Sequence, residues 1–375
     1  MYKDHVSGRV DLQQTIGDLI QVRFEAIGNR CKLGISRGIP AVVCRELCMN
    51  ILVTGGAGYV GSHAAQWMQG AGHDIWIYDN LSTGHRQAAL PNRLIEGELS
   101  DQSLLATILA EKQIDVVMHF AALSLVGESV EQPAKYYQNN VLGTFHLLEA
   151  MRHANVRQLV FSSTTAVFGS PSEMPIHEEL PRCPVNPYGW TKFMVEEMLA
   201  HYCQSYDFGC VALRYFNAAG AAKNGTLGES HAPETHLIPL VLQVALGQRE
   251  SIAIFGEDYP TPDGSCVRDY VHVDDLAQAH QQALEQLRAG EALYFNLGTG
   301  KGASVREVIE ACRRVTGHPI PAISGARRPG DPAILVAESS RAKEVLNWQP
   351  AFLEIDEIVR SAWQWHQSHP HGYVS

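Results

Sequence analysis

The stretch Thr54-Gly55-Gly56-Ala57-Gly58-Tyr59-Val60-Gly61 constrains this chain more than any other. The apolar run Met49-Asn50-Ile51-Leu52-Val53 before it reads as a buried strand, and Gly55, Gly58 and Gly61 form a G-x-x-G-x-x-G loop entering a helix. Glycine turns the chain sharply without a Cβ penalty and lets backbone approach a ligand closely. The helix N-terminus beyond such a loop suits a pyrophosphate. A second strand, His73 to Tyr78, ends in Asp79, about 20 residues past the loop, where a carboxylate can accept hydrogen bonds from an adenosine ribose. An ordinary glycine turn and a surface acid would explain these features singly. Strand, loop, helix and acid in this order read together as a dinucleotide-binding β-α-β unit.

The 375 residues allow one large domain or two closely packed ones, and the apolar share of 45% supplies a sizeable core. A net charge of −11 with no long Lys/Arg run argues against nucleic acid and anionic membrane surfaces as partners. An anionic small substrate would need local arginines. No apolar run approaches the ~18 residues of a transmembrane helix. The eight cysteines show neither C-x-x-C knuckles nor a disulfide framework, so reduced thiols in a cytoplasmic protein are expected. Cys44 and Cys48 lack an accompanying set of histidines or carboxylates to make them metal ligands.

Residues 1–48 carry scattered Gly, Arg and Cys without periodicity, and acids (Asp4, Asp11, Asp18, Glu25) that argue against a transit peptide. They read as an upstream extension with no part in the chemistry, and a chain starting at Met49 is expected to keep full activity and stability. From Met49 onward strands and helices alternate. Helical spacing runs from Asp101 to Lys112, and from Pro133 to Ala154 with Tyr136, Val141, Phe145 and Leu148 on one face. Buried strands are expected at Ile114–Phe120, Val156–Ser162 and Gly209–Phe216, and Asn186-Pro187 opens another helix. Repeated β-α-β implies an α/β fold, a Rossmann-type doubly wound parallel sheet. After about Ala218 Gly and Pro increase, a helix and strand (Asp274–Leu287, Leu293–Leu297) return to the sheet, and 298–375 reads as a tail of helices and loops. The expected division is a nucleotide domain, 49–218 plus 268–297, and a smaller discontinuous C-terminal substrate domain, 219–267 plus 298–375. The cleft would lie between them at the carboxyl ends of the strands.

Tyr188-Gly189-Trp190-Thr191-Lys192 places Tyr and Lys on one helical face at i and i+4. Free tyrosine titrates near pH 10. A nearby ammonium and an oxidised nicotinamide are expected to lower that value, giving a group that exchanges a proton with a sugar or alcohol hydroxyl. Alone, Y-x-x-x-K is usually a solvated helix face; downstream of a dinucleotide loop it becomes specific. Ser162-Ser163-Thr164 ends the fifth expected strand, where the Thr164 hydroxyl can reach the reacting oxygen.

This combination resembles the extended short-chain dehydrogenase/reductase superfamily. Further motifs are similar to its UDP-hexose 4-epimerases: Asp79-Asn80-Leu81-Ser82, His119-Phe120-Ala121-Ala122, Tyr136-Tyr137-Gln138-Asn139-Asn140-Val141, Leu213-Arg214-Tyr215-Phe216-Asn217, Val267-Arg268-Asp269-Tyr270-Val271-His272-Val273 and Arg327-Arg328-Pro329-Gly330-Asp331. The resemblance covers Met49 to the C-terminus. It implies tightly bound NAD on Gly55, Gly58, Tyr59, Val60, Gly61, Asp79, Asn80, Glu98, Leu99, Phe120, Ala121, Ala122, Leu123, Asn139, Tyr188, Lys192 and Phe216. It implies Tyr188 as acid/base, Lys192 tuning it and Thr164 assisting at the sugar 4-hydroxyl. It implies a UDP-sugar on Thr164, Tyr188, Asn217, His236, Leu237, Arg268, Arg328, Asp331 and Leu335. Arg268 and Arg328 would take the diphosphate and Asp331 the uridine ribose; these are the local cations an acidic protein needs. The implied reaction moves a hydride from sugar C4 to NAD and back to the other face of a 4-keto sugar, with no net oxidation. A homodimer paired through the helices near 133–154 and 187–204 is expected.

Departures are few. Glu98 stands in place of an aspartate, Ser124 of a lysine and Phe168 of a tyrosine, while the bulk of Leu335 is expected to disfavour N-acetylated sugars. Thr165-Ala166 after Thr164 lacks the Asp-Glu pair that a 4,6-dehydratase uses to eliminate water. A UDP-glucuronate or UDP-N-acetylglucosamine epimerase and a non-catalytic NAD or UDP-sugar sensor remain as alternatives; Tyr188 and Lys192 speak against the sensor.

Overall fold

The computed structural model describes residues 48–328 and 331–373, so all of the expected extension but Cys48 lies outside the described residues. In chain order, β1 (Asn50–Thr54) leads through the glycine loop into α1 (Tyr59–Gly70), then β2 (Asp74–Asp79) and β3 (Leu94–Glu96). Helix α2 (Gln102–Glu111) precedes β4 (Val116–His119). Helix α3 is built of Pro133–Tyr136, a π-helical turn at Tyr137–Leu142, and Gly143–His153. Next come β5 (Gln158–Thr164), α4 (Pro187–Tyr206), β6 (Gly209–Tyr215) and β7 (Asn217–Ala219). The remainder includes α5 (Leu237–Ala245), β8 (Ile252–Phe255), β9 (Val267–Arg268), β10 (Tyr270–His272), α6 (Val273–Leu284), β11 (Ala292–Leu297), β12 (Ala303–Ser304), α7 (Val305–Thr316), β13 (Ala322–Gly325), β14 (Ile334–Leu335), a short helix at Ser340–Val345, and α8 (Ile355–Ser368).

The main sheet has seven strands in the order β11-β6-β5-β4-β1-β2-β3, every pair parallel. Strand order reverses between β1 and β4, and a ligand crevice opens at such a reversal. The pleat of β1 shows how the layers form, because successive side chains point to opposite faces. Ile51 and Val53 join a core with Ala65 and Met68 of α1 and Leu276 and Ala283 of α6. Leu52 joins another with Leu105 and Ile108 of α2, Leu147 and Leu148 of α3, and Val195 and Leu199 of α4. A third core gathers α5, α7 and α8 through Val241, Leu242, Val308, Ile309, Val359 and Trp363.

Local chemistry sets the helix ends. Asp101 accepts from the Leu104 amide to cap α2 at 3.0 Å, and Asn186 accepts from the Gly189 amide at 2.9 Å with Pro187 in the first turn of α4. Ser304 and Glu307 form a reciprocal capping box on α7.

Two expectations need correction. The stretch 298–375 is not only helices and loops. It supplies β13, which pairs in parallel with β8, and β12 and β14, which flank β9. These strands are two to four residues long, too short for period-2 alternation to register. The buried face of α3 is Tyr136, Asn140, Thr144, Leu147, Leu148 and Met151; Val141 is only half-buried and Phe145 is 41% exposed. Counting apolar residues mislocates that face, because two of its positions carry polar groups that serve the site.

Candidate active site

The glycine loop closes at the strand reversal. Gly55 has φ +72°, and a Cβ on it would lie 2.5 Å from the Ala121 amide nitrogen. The loop after β1 and the segment after β4 therefore touch backbone to backbone. Gly58 caps α1 with no side-chain hydrogen bond to the helix, which leaves that end available to a ligand. Asp79, 7% exposed, accepts from the Ala57 amide (3.0 Å) and the Leu81 amide (2.8 Å). Burial raises its carboxyl above the usual range despite those two bonds. Asn80 donates to the Glu98 carboxylate at 3.1 Å, so the one-methylene-longer acid is held by its neighbour.

A cavity here is lined by Gly55, Gly58, Asp79, Asn80, Glu98, Leu99, Phe120 to Leu123, and Asn139. That covers most of the expected cofactor set. Tyr59, Val60 and Gly61 continue from it into α1, and Gly61 packs so tightly that a Cβ would meet the Gly55 carbonyl at 2.3 Å. Phe216, 8% exposed, packs instead with Val167, Phe168, Ile176 and Leu335.

Thr164, Tyr188 and Lys192 come together at the carboxyl end of β5. A Cβ on Gly189 would be 2.6 Å from the Ala166 carbonyl oxygen, so glycine allows the start of α4 to dock on the turn after Thr164. The Tyr188 side chain lies beside Thr164, whose hydroxyl accepts from the Ala166 amide at 3.2 Å. The expected lowering of the tyrosine does not arise from the protein groups: burial pushes Tyr188 up to about 12, and only the neighbouring Thr164 opposes it. Lys192 is 3% exposed and donates to the Ser162 carbonyl at 2.8 Å. Burial lowers it to about 7, with Glu196 pulling the other way.

Behind this pair lies a network that residue-type reasoning missed. Glu196 is fully buried and Arg214 is 2% exposed. Arg214 donates through Nε to Oε1 (2.8 Å) and through Nη2 to Oε2 (2.6 Å), a bidentate pair. Ser163 donates to Glu196 at 2.6 Å, and Arg182 reaches its other oxygen at 3.2 Å. Glu196 stands one turn beyond Lys192, and the Y-x-x-x-K-x-x-x-E spacing was the available signal.

A second wire runs through buried polar residues of β1, β4 and α3. The Thr144 hydroxyl donates to the Asn140 carbonyl at 2.6 Å, so it accepts from His119 Nε2 at 2.8 Å. His119 Nδ1 then accepts from Thr54 at 2.7 Å. Burial, aided by the Lys192 charge, lowers His119 to about 3 and keeps it neutral. Asn140 accepts from the Leu123 amide (2.9 Å), donates to the Leu123 carbonyl (3.0 Å) and donates to Thr191 (3.0 Å). It thus pins the cavity wall to α4, while the expected ligand contact, Asn139, donates to Asn140 at 2.9 Å. The π turn around these residues is of a kind frequent at functional sites.

The expected substrate residues are less drawn together. Arg268 pairs with Asp331 and donates to the Val267 carbonyl at 2.7 Å. Asn217 donates to the Asp269 carbonyl at 3.2 Å. Arg328 is exposed, its guanidinium 4.3 Å from the Phe255 ring centroid. Leu335 pairs with Arg268 in the β9–β14 ladder and packs near Phe168 and Phe216. His236 caps α5, which begins at Leu237, and its Nδ1 engages Glu229.

The cradle fits a dinucleotide on its own geometry: an unoccluded helix N-terminus, a glycine turn that side chains would fill, and an acid at the end of β2. The NAD dependent epimerase/dehydratase family matches residues 51–298. A UDP-glucose 4-epimerase of Halalkalibacterium halodurans is 55% identical over 327 residues, 87% of this chain and 98% of that one. The crystal structure of a Brucella ovis UDP-glucose 4-epimerase in complex with NAD has a TM-score of 0.81 at 47% identity, covering 84% of this chain and 97% of that one. That of a Bifidobacterium longum UDP-glucose 4-epimerase in complex with NAD+ and UDP has a TM-score of 0.82 at 38% identity, covering 86% and 100%. With likeness of that extent spanning both the glycine cradle and the Thr164-Tyr188-Lys192 cluster, the chain belongs to the NAD dependent epimerase/dehydratase family and, within it, to the UDP-glucose 4-epimerases.

Proposed function

We propose that this chain interconverts UDP-glucose and UDP-galactose at sugar C4, with NAD held in the Gly55–Gly61 cradle as a fixed part of the site. The observation that carries this reading is the placement of Tyr188 beside Thr164 at the carboxyl end of β5, one helical turn from a buried Lys192. The named activity of the relatives supports the choice of sugars. NAD bound in the cradle supplies an acceptor and donor of hydride at C4. Tyr188 then holds or releases the proton of the sugar 4-hydroxyl, and Thr164 bonds to the same oxygen or relays through Tyr188. Lys192, poised at about 7, is the protein group near Tyr188 that can gain charge and offset the burial raising the phenol. Arg268, Arg328, Asn217 and Asp331 would anchor the UDP, with His236 and Leu237 beside them, so that the sugar can turn while its nucleotide stays fixed. Engaging a diphosphate would require Arg268 to exchange its Asp331 partner for phosphate.

The same reading divides the chain into 49–218 plus 268–297 for NAD and 219–267 plus 298–375 for the UDP-sugar. The separate core of α5, α7 and α8 supports that division. It also takes the active form as a homodimer, supported by the exposed apolar side chains Leu142 and Phe145 on α3 and Trp190 and Met194 on α4. A cytoplasmic setting agrees with the six described cysteines, all of them free, and no described helix is long and apolar enough to cross a membrane.

The deciding experiment is incubation of the purified protein with UDP-galactose and no added NAD. UDP-glucose should form. Formation only when NAD is supplied in excess would remove the fixed-cofactor reading, and no formation under either condition would overturn the activity.

A further inference from the structure

Between β7 and α5 runs Glu229-Ser230-His231-Ala232-Pro233-Glu234-Thr235-His236, of which the proposed reaction uses only His236, beside the UDP, and leaves Glu229, His231 and Glu234 without a role. One donor atom from each of Glu229, His231, Glu234 and His236 can be chosen so that all four lie within 4.8 Å of one another. We propose that these four side chains form a binding site for a divalent transition-metal ion of the zinc class. This inference stands apart from the proposed activity and does not depend on it.

The chemistry of the donors points to that class. Two imidazoles and two carboxylates are a nitrogen/oxygen set suited to zinc, whereas magnesium and calcium are held by oxygen alone. Two of the donor separations agree, while the overall spread of up to 4.8 Å and the direct His236–Glu229 contact require those side chains to adjust around the ion. Bonds of ~2.0–2.2 Å place neighbouring donors of a tetrahedron about 3.3–3.5 Å apart. His231 Nδ1 lies 3.5 Å from Glu229 Oε1 and 3.5 Å from Glu234 Oε2, too long for good hydrogen bonds and matched to donors sharing an ion. His236 Nδ1 meets the same Glu229 oxygen from the other side.

The surroundings orient the donors. Glu234 accepts from the amides of Thr235 (2.7 Å) and His236 (2.8 Å) with Oε1, which leaves Oε2 to face His231. The side chains of Glu229 and Glu234 are only 4% and 6% exposed, and among the described residues neither has an ion pair with lysine or arginine. Two buried carboxylates need compensating charge, and histidines are their ion-pair partners here. His366 of α8, 8% exposed, lies within electrostatic reach of both acids, and among the described residues its Nε2 has no hydrogen-bond partner.

Four protein donors leave no open position, so the ion would be structural rather than catalytic. Its place gives it leverage. His85 Nε2 donates to the Ser230 carbonyl at 3.0 Å, and the Tyr59 ring meets His231 edge-on with centroids 6.3 Å apart. The ion would therefore fasten the entrance of α5 to the start of α1, tying a substrate-side loop to the cofactor cradle.

The test uses the full-length untagged protein, freed of metal with a strong chelator. Zn2+ is then titrated against a chromophoric competitor, alongside His231→Ala, Glu234→Gln and the double variant, with Mg2+ as a separate arm. One zinc per chain is expected, with affinity falling more than the roughly 10–100-fold that loss of an outer-shell partner costs. Co2+ should give the intense visible bands of a tetrahedral site in the wild type and lose them in the double variant. Zn2+ should raise the thermal midpoint of the wild type but not of the variants, and Mg2+ should raise neither. Substoichiometric zinc, or equal uptake by wild type and double variant, would overturn the site and leave a proton-linked His–Glu cluster. If a variant fails to fold by far-UV circular dichroism, the wild-type stoichiometry and Co2+ spectrum decide alone. Neither readout depends on turnover, so failure of the proposed activity leaves this result interpretable.

Discussion

The cofactor side and the substrate side of this site are built on different principles. The cradle is backbone and buried polar groups: Gly55 packed on Ala121, Asp79 held by two amides, and Asn140 pinning Leu123. Its polar groups are already held in place by the fold. The substrate side is long side chains bonded to one another or to solvent, with Arg268 on Asp331 and Arg328 over Phe255. Those groups must exchange partners before they can hold a diphosphate. A preformed half beside a rearranging half suits a cofactor that stays and a substrate that comes and goes.

The largest effect that could break this comparison is expected at its centre. Tyr188→Phe should cut turnover by roughly 10²–10⁴-fold while leaving NAD in the purified protein. Loss of NAD together with activity would mean that the cradle and the catalytic cluster are not separable. Next comes Glu196→Ala, which leaves Arg214 buried without a counter-charge and should destabilise the fold by roughly 3–5 kcal/mol in urea unfolding. A change below 1 kcal/mol would show that water reaches this network.

Lys192 yields a pH signature. Its folded value, about 7, lies below its ordinary 10.5, so between these the unfolded chain carries the extra proton. Wild-type stability should therefore rise with pH across this window, by roughly 2–3 kcal/mol from pH 7 to 9. In Lys192→Met that rise should vanish, as read from denaturation midpoints at each pH. The rise ends near pH 10, where the raised Tyr188 begins to penalise the fold in its turn.

On the other half, Arg268→Ala should raise KM for UDP-glucose by roughly 10–100-fold with NAD retained. An unchanged KM would remove Arg268 from the anchor. The smallest effect is assigned to Leu335: replacement by alanine should improve turnover of UDP-N-acetylglucosamine relative to UDP-glucose by roughly tenfold. Comparable turnover of both sugars by the wild type would already refute its role as a gate.

The parts legible in the residues were those where local chemistry and tertiary role coincide. Asn186-Pro187 announces a helix start, and α4 begins there. Alternating apolar runs announce buried strands, and the sheet contains them. Legibility failed where a polar residue takes a core position. Asn140 and Thr144 displaced Val141 and Phe145 from the buried face, and nothing in the residue types of Glu196 and Arg214 marks them as a buried pair. The balance of effects on the tyrosine divides in the same way. A neighbouring lysine is visible in a helix repeat, whereas the desolvation that dominates Tyr188 belongs to everything packed around it.

Local sequence by itself determined the β-α-β cradle, the strand-end hydroxyl and the i, i+4 pairing of Tyr188 with Lys192, because each follows from backbone geometry and residue spacing over a few turns. Only the tertiary structure decided which charges are buried together and which arginine holds which acid. Those depend on distances between segments far apart in the chain and on the water excluded between them.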